Sequence, residues 1–143
     1  MAKQYVDMEN RKFVETNLRP QTTVRVRQLS TVSIDNSYDN TLIANESFRG
    51  EWEDILPYAT IVVSVLASDT SAADGLEIEF SPDNGDTVVN KYTYSVPAST
   101  AKSYIVAPLG RYIRLTYTNG ATALTEFNIE TIYKPQALQP TEI

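Results

Sequence analysis

The chain has 143 residues, a net charge of −6, 42% hydrophobic residues, and neither His nor Cys. Its length and hydrophobicity fit one globular domain with its own core, and the missing His and Cys exclude disulfide staples, thiol nucleophiles, imidazole bases and the softer metal ligands. Residues 1–27 hold six basic against three acidic residues while residues 51–143 hold five against twelve, so the acidic body disfavours nucleic acid and anionic membrane as partners.

In chain order, residues 1–28 are polar and lack the apolar stretch of a secretory signal. The most apolar stretch, 61–67, is too short to cross a bilayer. The expectation is a protein made in a cytoplasm and not exported by the general secretory route. Residues 7–18 have room for a short helix, ended by Arg19-Pro20 because the residue before Pro is pushed towards extended geometry. Residues 22–29 alternate polar and apolar and read as a strand. Residues 30–40 are rich in Ser, Asp and Asn, with turns expected at Asp35-Asn36-Ser37 and Asp39-Asn40. Residues 1–40 are therefore expected to form an N-terminal arm that is mostly extended and packs on a neighbour.

Regular strand signals begin at Thr41. Strands are expected over 41–48, 60–67, 76–80, 88–96, 103–107, 111–118 and 125–133. In the second, Ile61, Val63, Val65 and Ala67 share one face. In the third, Leu76, Ile78 and Phe80 point inward while Glu77 and Glu79 point out. Residues 69–75 read as a polar turn, and 81–86, with Pro82 and Gly85, carry the strongest turn signal. Asn119-Gly120 predicts a tight hairpin. Turns every 8–15 residues with no helix between strands predict an all-β fold, an antiparallel β-sandwich of jelly-roll type over 41–134. Residues 135–143 then form a short tail.

Candidate chemistry is thin. Glu77 and Glu79 share a strand face as catalytic carboxylate pairs do, but alternate charges are also the ordinary solvated face of a strand. Asp83-Asn84-Gly85-Asp86 lacks the ligand spacing of a calcium loop and reads as turn chemistry. No catalytic residue, metal site or cofactor is therefore expected. Nine Tyr and Trp52 leave carbohydrate binding open, although Trp52 and Phe48 are expected to pack over one end of the sandwich.

The runs Phe48-Arg49-Gly50-Glu51-Trp52-Glu53-Asp54-Ile55, Tyr58-Ala59-Thr60-Ile61-Val62-Val63-Ser64-Val65, Gly75-Leu76-Glu77-Ile78-Glu79-Phe80-Ser81-Pro82-Asp83-Asn84-Gly85, Arg111-Tyr112-Ile113-Arg114-Leu115-Thr116-Tyr117-Thr118-Asn119-Gly120 and Phe127-Asn128-Ile129-Glu130-Thr131 resemble β-sandwich modules of tailed-bacteriophage virion proteins. The resemblance covers residues 48–131 and leaves 1–47 outside it. It implies a jelly-roll-like domain on a virus particle, as a capsid decoration protein, a head fibre, or part of a tail or baseplate. It also implies homo-oligomers, often trimers, an arm that clasps other virion subunits, and location in the virion. Arg11, Lys12, Arg19, Arg25 and Arg27 are then the expected charge contacts of the arm, and Val24, Val26 and Leu29 its strand contacts. A receptor- or carbohydrate-binding domain of a tail or fibre is the alternative.

Overall fold

The computed structural model describes residues 29–137 and 141–142. Ten strands follow in chain order: β1 (Thr31–Tyr38), β2 (Ser47–Arg49), β3 (Glu53–Asp54), β4 (Thr60–Ala67), β5 (Ser71–Ser81), β6 (Asn90–Tyr94), β7 (Lys102–Val106), β8 (Tyr112–Asn119), β9 (Phe127–Lys134) and β10 (Thr141–Glu142). They form two antiparallel sheets: the β4 sheet, in the order β1-β9-β4-β7-β10, and the β8 sheet, in the order β2-β8-β5-β6 with β3 also on β8. Treating β2 and β3 as one interrupted strand, the chain pairs β1 with β9, β2/β3 with β8, β4 with β7 and β5 with β6. That nested pairing of an outer and an inner antiparallel ribbon is the winding of a jelly roll.

The sequence alternation builds the core directly. Ile61, Val63, Val65 and Ala67 of β4 and Phe127, Ile129 and Tyr133 of β9 face Leu76, Ile78 and Phe80 of β5 and Ile113, Leu115 and Tyr117 of β8, all of them buried. Each large apolar side chain so buried contributes about 1.5–3 kcal/mol relative to exposure. Aromatic contacts add shape, with ring centroids of Tyr117 and Phe127 4.6 Å apart and those of Tyr94 and Tyr104 4.2 Å apart.

Several expectations are corrected. Residues 31–38 form β1, an edge strand of the β4 sheet paired with β9, so the sandwich begins about ten residues before Thr41. Its Ser, Asp and Asn content imitates a loop because the strand is irregular: from Ser33 to Tyr38 it advances five positions while β9 advances only from Thr131 to Ile129. The strand expected over 41–48 shrinks to Ser47–Arg49, since Asn45 takes a left-handed φ of 62° and turns the chain. Part of the turn expected at 69–75 is instead the start of β5, with a bulge between Ser71 and Leu76.

Asn119-Gly120 is no hairpin, because β8 and the next strand belong to different sheets. Asn119 is buried and its Nδ2 donates to the carbonyls of Ile43 and Thr122, both at 2.9 Å, which ties the crossing loop down. The 81–86 turn does close a hairpin, between β5 and β6. In the expected tail, Thr141–Glu142 pairs with β7 at the far edge of the β4 sheet.

Candidate functional site

The densest convergence of polar groups lies between the sheets under β1. Asn36, fully buried, sits where β1 is irregular. Its Oδ1 accepts from the Leu115 backbone N–H in the other sheet at 2.9 Å, and its Nδ2 donates to the Glu51 carbonyl at 2.9 Å and to Glu53 Oε1 at 2.8 Å. The same Glu53 oxygen accepts from Tyr133 Oη at 2.6 Å and from Ser33 Oγ. Thr131 Oγ1 donates to the Asn36 carbonyl at 2.7 Å. A Cβ on Gly50 would lie 2.0 Å from Asn36 Oδ1 and 2.7 Å from the Asp35 carbonyl oxygen, so the absence of a side chain there is what admits the amide.

This cluster is built to hold and not to react. Burial, and then the Glu53 carboxylate it donates to, push the Tyr133 hydroxyl far above the ordinary tyrosine range. It therefore stays a proton donor to Glu53 at neutral pH and offers no phenolate. Every donor of the cluster is turned on a protein acceptor, which binds β1 to β9 and to the opposite sheet.

On the outer face of the β8 sheet the outward carboxylates of β5 are paired, beside an open hollow of about 380 Å³ lined by Glu79, Val88, Val89, Asn90 and Lys91. Glu79 is 8% exposed and accepts from Arg114 Nε at 3.1 Å and Nη2 at 2.9 Å, and Arg114 lies under the Trp52 ring at 4.5 Å. Glu77 pairs with Lys91 at 3.3 Å. Glu79 thus points outward but is covered, contrary to the solvated pair expected, because alternation sets a side chain's direction and not what lies over it. Trp52 lies over Arg114 on this face, at the end where the 81–86 hairpin turns, its indole edge filling the space above Gly85. At the hairpin, Asp83 Oδ1 accepts from Ser81 Oγ at 2.8 Å and from the Thr87 N–H at 2.7 Å, which holds its carboxyl below the ordinary range. Among the described residues no three Asp, Glu, His or Cys side chains come together as a metal would require.

The β4 sheet differs. Its outer face carries a row of registered neighbours, Val32 beside Ile132, Ile132 beside Val62, and Val62 beside Ile105. Val32 and Ile34, both on edge strand β1, are 51% and 86% exposed. An open groove of about 330 Å³ runs between β1 and β9, lined by Val32, Ile34, Tyr38, Asn128 and Glu130 among others. Of the expected arm contacts, Leu29 lies just before β1 and is 72% exposed. Arg11, Lys12, Arg19, Val24, Arg25, Val26 and Arg27 lie outside the described residues. The row itself was only partly within reach of the sequence: of the outward positions of 60–67, Val62 and Leu66 are apolar but Thr60 and Ser64 are not, so the alternation marks the inward face far more clearly than the outward one.

The chain matches the family model described as "Uncharacterised protein YqxG N-terminal domain" over residues 22–134 and belongs to that family. Among solved structures it is similar to the PBSX exported protein XepA, with a TM-score of 0.60 and 21% identity over 76% of this chain and 38% of that one. The chain thus spans well under half the length of XepA, and at that identity the likeness establishes the fold. A further solved structure, from work titled "Bacillus endospore appendages form a novel family of disulfide-linked pili", aligns at 17% identity over 85% of this chain and 100% of that one. Its TM-score of 0.40 is too low to support an argument. No curated protein matches.

Proposed function

We propose that this chain is a non-enzymatic structural protein of a tailed-phage particle, assembling on neighbouring virion subunits through its N-terminal arm. The observation that carries the reading is where the polar chemistry goes. Glu53, Tyr133, Asn36, Glu79 and Arg114 are all spent on holding strands together, while apolar side chains stand exposed along β1 and just before it. An enzyme keeps perturbed groups in an open cleft; here the strongly perturbed Tyr133 is sealed by its own hydrogen bonds.

The family match begins at residue 22, nine residues before β1, which supports a working role for the alternating segment 22–29 within the domain. Its basic residues Arg25 and Arg27, with Arg11, Lys12 and Arg19, meet carboxylates on neighbours and set register, while Val24, Val26 and Leu29 add apolar and strand contacts. Homo-oligomers, with trimers favoured, follow from the resemblance to phage virion modules. The arrangement on the β8 face favours this over glycan binding, because Trp52 has one face of its ring taken by Arg114.

Removing residues 1–28 tests the reading. The truncated protein is expected to keep a cooperative thermal transition and to lose incorporation into sedimenting particles. Undiminished incorporation overturns the role of the arm.

A further inference from the structure

We infer that the outer face of the β4 sheet is a self-association surface, on which a second copy of this chain packs about a two-fold axis running along the row Val32-Ile132-Val62-Ile105. The row is set by backbone register, since Val32 pairs with Ile132, Ile132 with Val62, and Val62 with Ile105. It crosses four neighbouring strands, about 14 Å at the usual spacing of ~4.8 Å. Such a row would normally be interrupted by charge on a solvated face.

What identifies the occupant as a second copy is the charge on either side. The outward residues of β9 read Asn128, Glu130, Ile132, Lys134, and the two charges flank Ile132 symmetrically with opposite sign. Neither Glu130 nor Lys134 has an ion-pair partner among the described residues. A two-fold axis lying in the interface and crossing β9 at Ile132 turns the second β9 antiparallel. It sets Ile132 on its own copy, Glu130 opposite Lys134 of the other copy, and Lys134 opposite Glu130. Every contact is then made twice, as an isologous interface requires. Two antiparallel sheets packed face to face keep their strands within about 30° of alignment, so the match holds best at the centre. β9 and β4 lie there.

A single row with two rim ion pairs is a small interface, of the kind that associates in the micromolar range. On an assembled particle the local concentration of copies makes such a contact sufficient. The inference extends the proposed structural role but uses none of residues 1–28.

The test is sedimentation equilibrium of the full chain from about 1 to about 200 micromolar, the range suited to a small interface, with the variants Glu130→Lys and Lys134→Glu. Each single variant places like charges opposite one another twice and is expected to associate at least about tenfold more weakly than wild type. An equimolar mixture of the two restores both attractions and is expected to regain association, as is the double variant E130K/K134E. Both positions lie on the outer surface, so folding is spared, which circular dichroism checks. Val62→Lys is expected to abolish the contact.

A wild type that stays at one copy throughout, as it would if its own arm covered the face, overturns the inference. So does a mixture that associates no better than its components. An oligomer of equal mass in the wild type and both single variants also overturns it, and leaves the arm reading standing.

Discussion

On the outer face of the β8 sheet each outward glutamate of β5 meets a cation, Glu79 with Arg114 and Glu77 with Lys91. On the outer face of the β4 sheet the central outward positions are Val62, Ile105 and Ile132, and the charges beside them, Glu130 and Lys134, are left without partners among the described residues. The two sheets share one core and the same alternation inward. The difference lies in the outward residues of the central strands: carboxylates paired within the molecule on β5, and on β9, β4 and β7 an apolar row flanked by charges unpaired among the described residues. A structural role is therefore to be sought on the β4 sheet and its edge strand β1.

The largest expected effect comes from the clamp that keeps β1 in that sheet. Asn36→Ala strands the buried Leu115 N–H and the Glu51 carbonyl and is expected to lower the unfolding free energy by roughly 3 kcal/mol. Gly50→Ala, which drives a methyl into Asn36 and the Asp35 carbonyl, is expected to cost a similar amount. Urea denaturation measures both. Hydrogen exchange is expected to quicken first in β1, and loss spread evenly over both sheets would mean that Asn36 is no special anchor for the open face.

Next in size is a reciprocal pair. Glu79→Ala leaves the covered guanidinium of Arg114 unpaired and is expected to cost about 2 kcal/mol of stability without changing self-association. Replacing both partners with Met is expected to be nearly neutral, since a covered ion pair owes much of its attraction back to desolvation. Val62→Thr is expected to do the reverse, weakening self-association while shifting stability by less than about 0.5 kcal/mol, because Thr keeps the β-branched shape on the outer face. If Glu79→Ala loosened self-association, or Val62→Thr unfolded the domain, the two faces would not divide the work as described.

What the sequence disclosed follows the same division. Inward periodicity was legible almost residue for residue: β4 runs over the expected 60–67, and Leu76, Ile78, Phe80, Ile113, Leu115 and Tyr117 are all buried. The jelly-roll pairing was legible as a class because turn spacing and the absence of helix patterns leave few all-β alternatives. What covers an outward side chain was not legible. Glu79 reads as solvated until Arg114 and Trp52 are brought over it from elsewhere in the chain. β1 reads as a loop because its order comes from Asn36, whose side-chain partners lie 15 to 97 residues away. Asn119-Gly120 has the local chemistry of a hairpin, yet which sheet the next strand joins is decided by the core.

Alkaline pH probes the shared interior, where the effect is smaller and falls on neither face. Burial, with Tyr104 nearby, pushes the Tyr117 hydroxyl up to about 12 from an ordinary 10.0, and Tyr133 is raised further by burial and Glu53. In the unfolded chain these groups ionise near 10.0 and in the folded one later, so the unfolded state loses protons first. The stability they confer is fully present below about 10 and is lost as pH rises towards 12. A near-ultraviolet absorbance titration is expected to show these tyrosines ionising together with unfolding. Their early titration in a still-folded protein would mean the interior admits water.

The smallest expected effect is the sharpest control on the comparison. Arg111 donates to Asp54 Oδ2 through Nε at 3.0 Å and Nη2 at 2.7 Å, a geometry as good as that of the Glu79–Arg114 pair, but the side chains are 49% and 40% exposed. The hydrogen bond from Arg111 is the main cause holding the Asp54 carboxyl below its ordinary 3.8. A carboxyl depressed in the folded state favours folding above its unfolded value and loses that contribution as pH falls through the folded one, so any effect is confined to pH below about 4. Water and salt screen such a pair at neutral pH. Asp54→Asn is thus expected to leave the neutral-pH thermal midpoint unchanged and to flatten the acid limb slightly, as read by melting curves from neutral to acid. Should it cost as much as Glu79→Ala, the stability that ion pairs lend the β8 sheet would rest on their number and not on the covering of one of them by Trp52. The contrast with the apolar β4 face would then reduce to a difference in charge count.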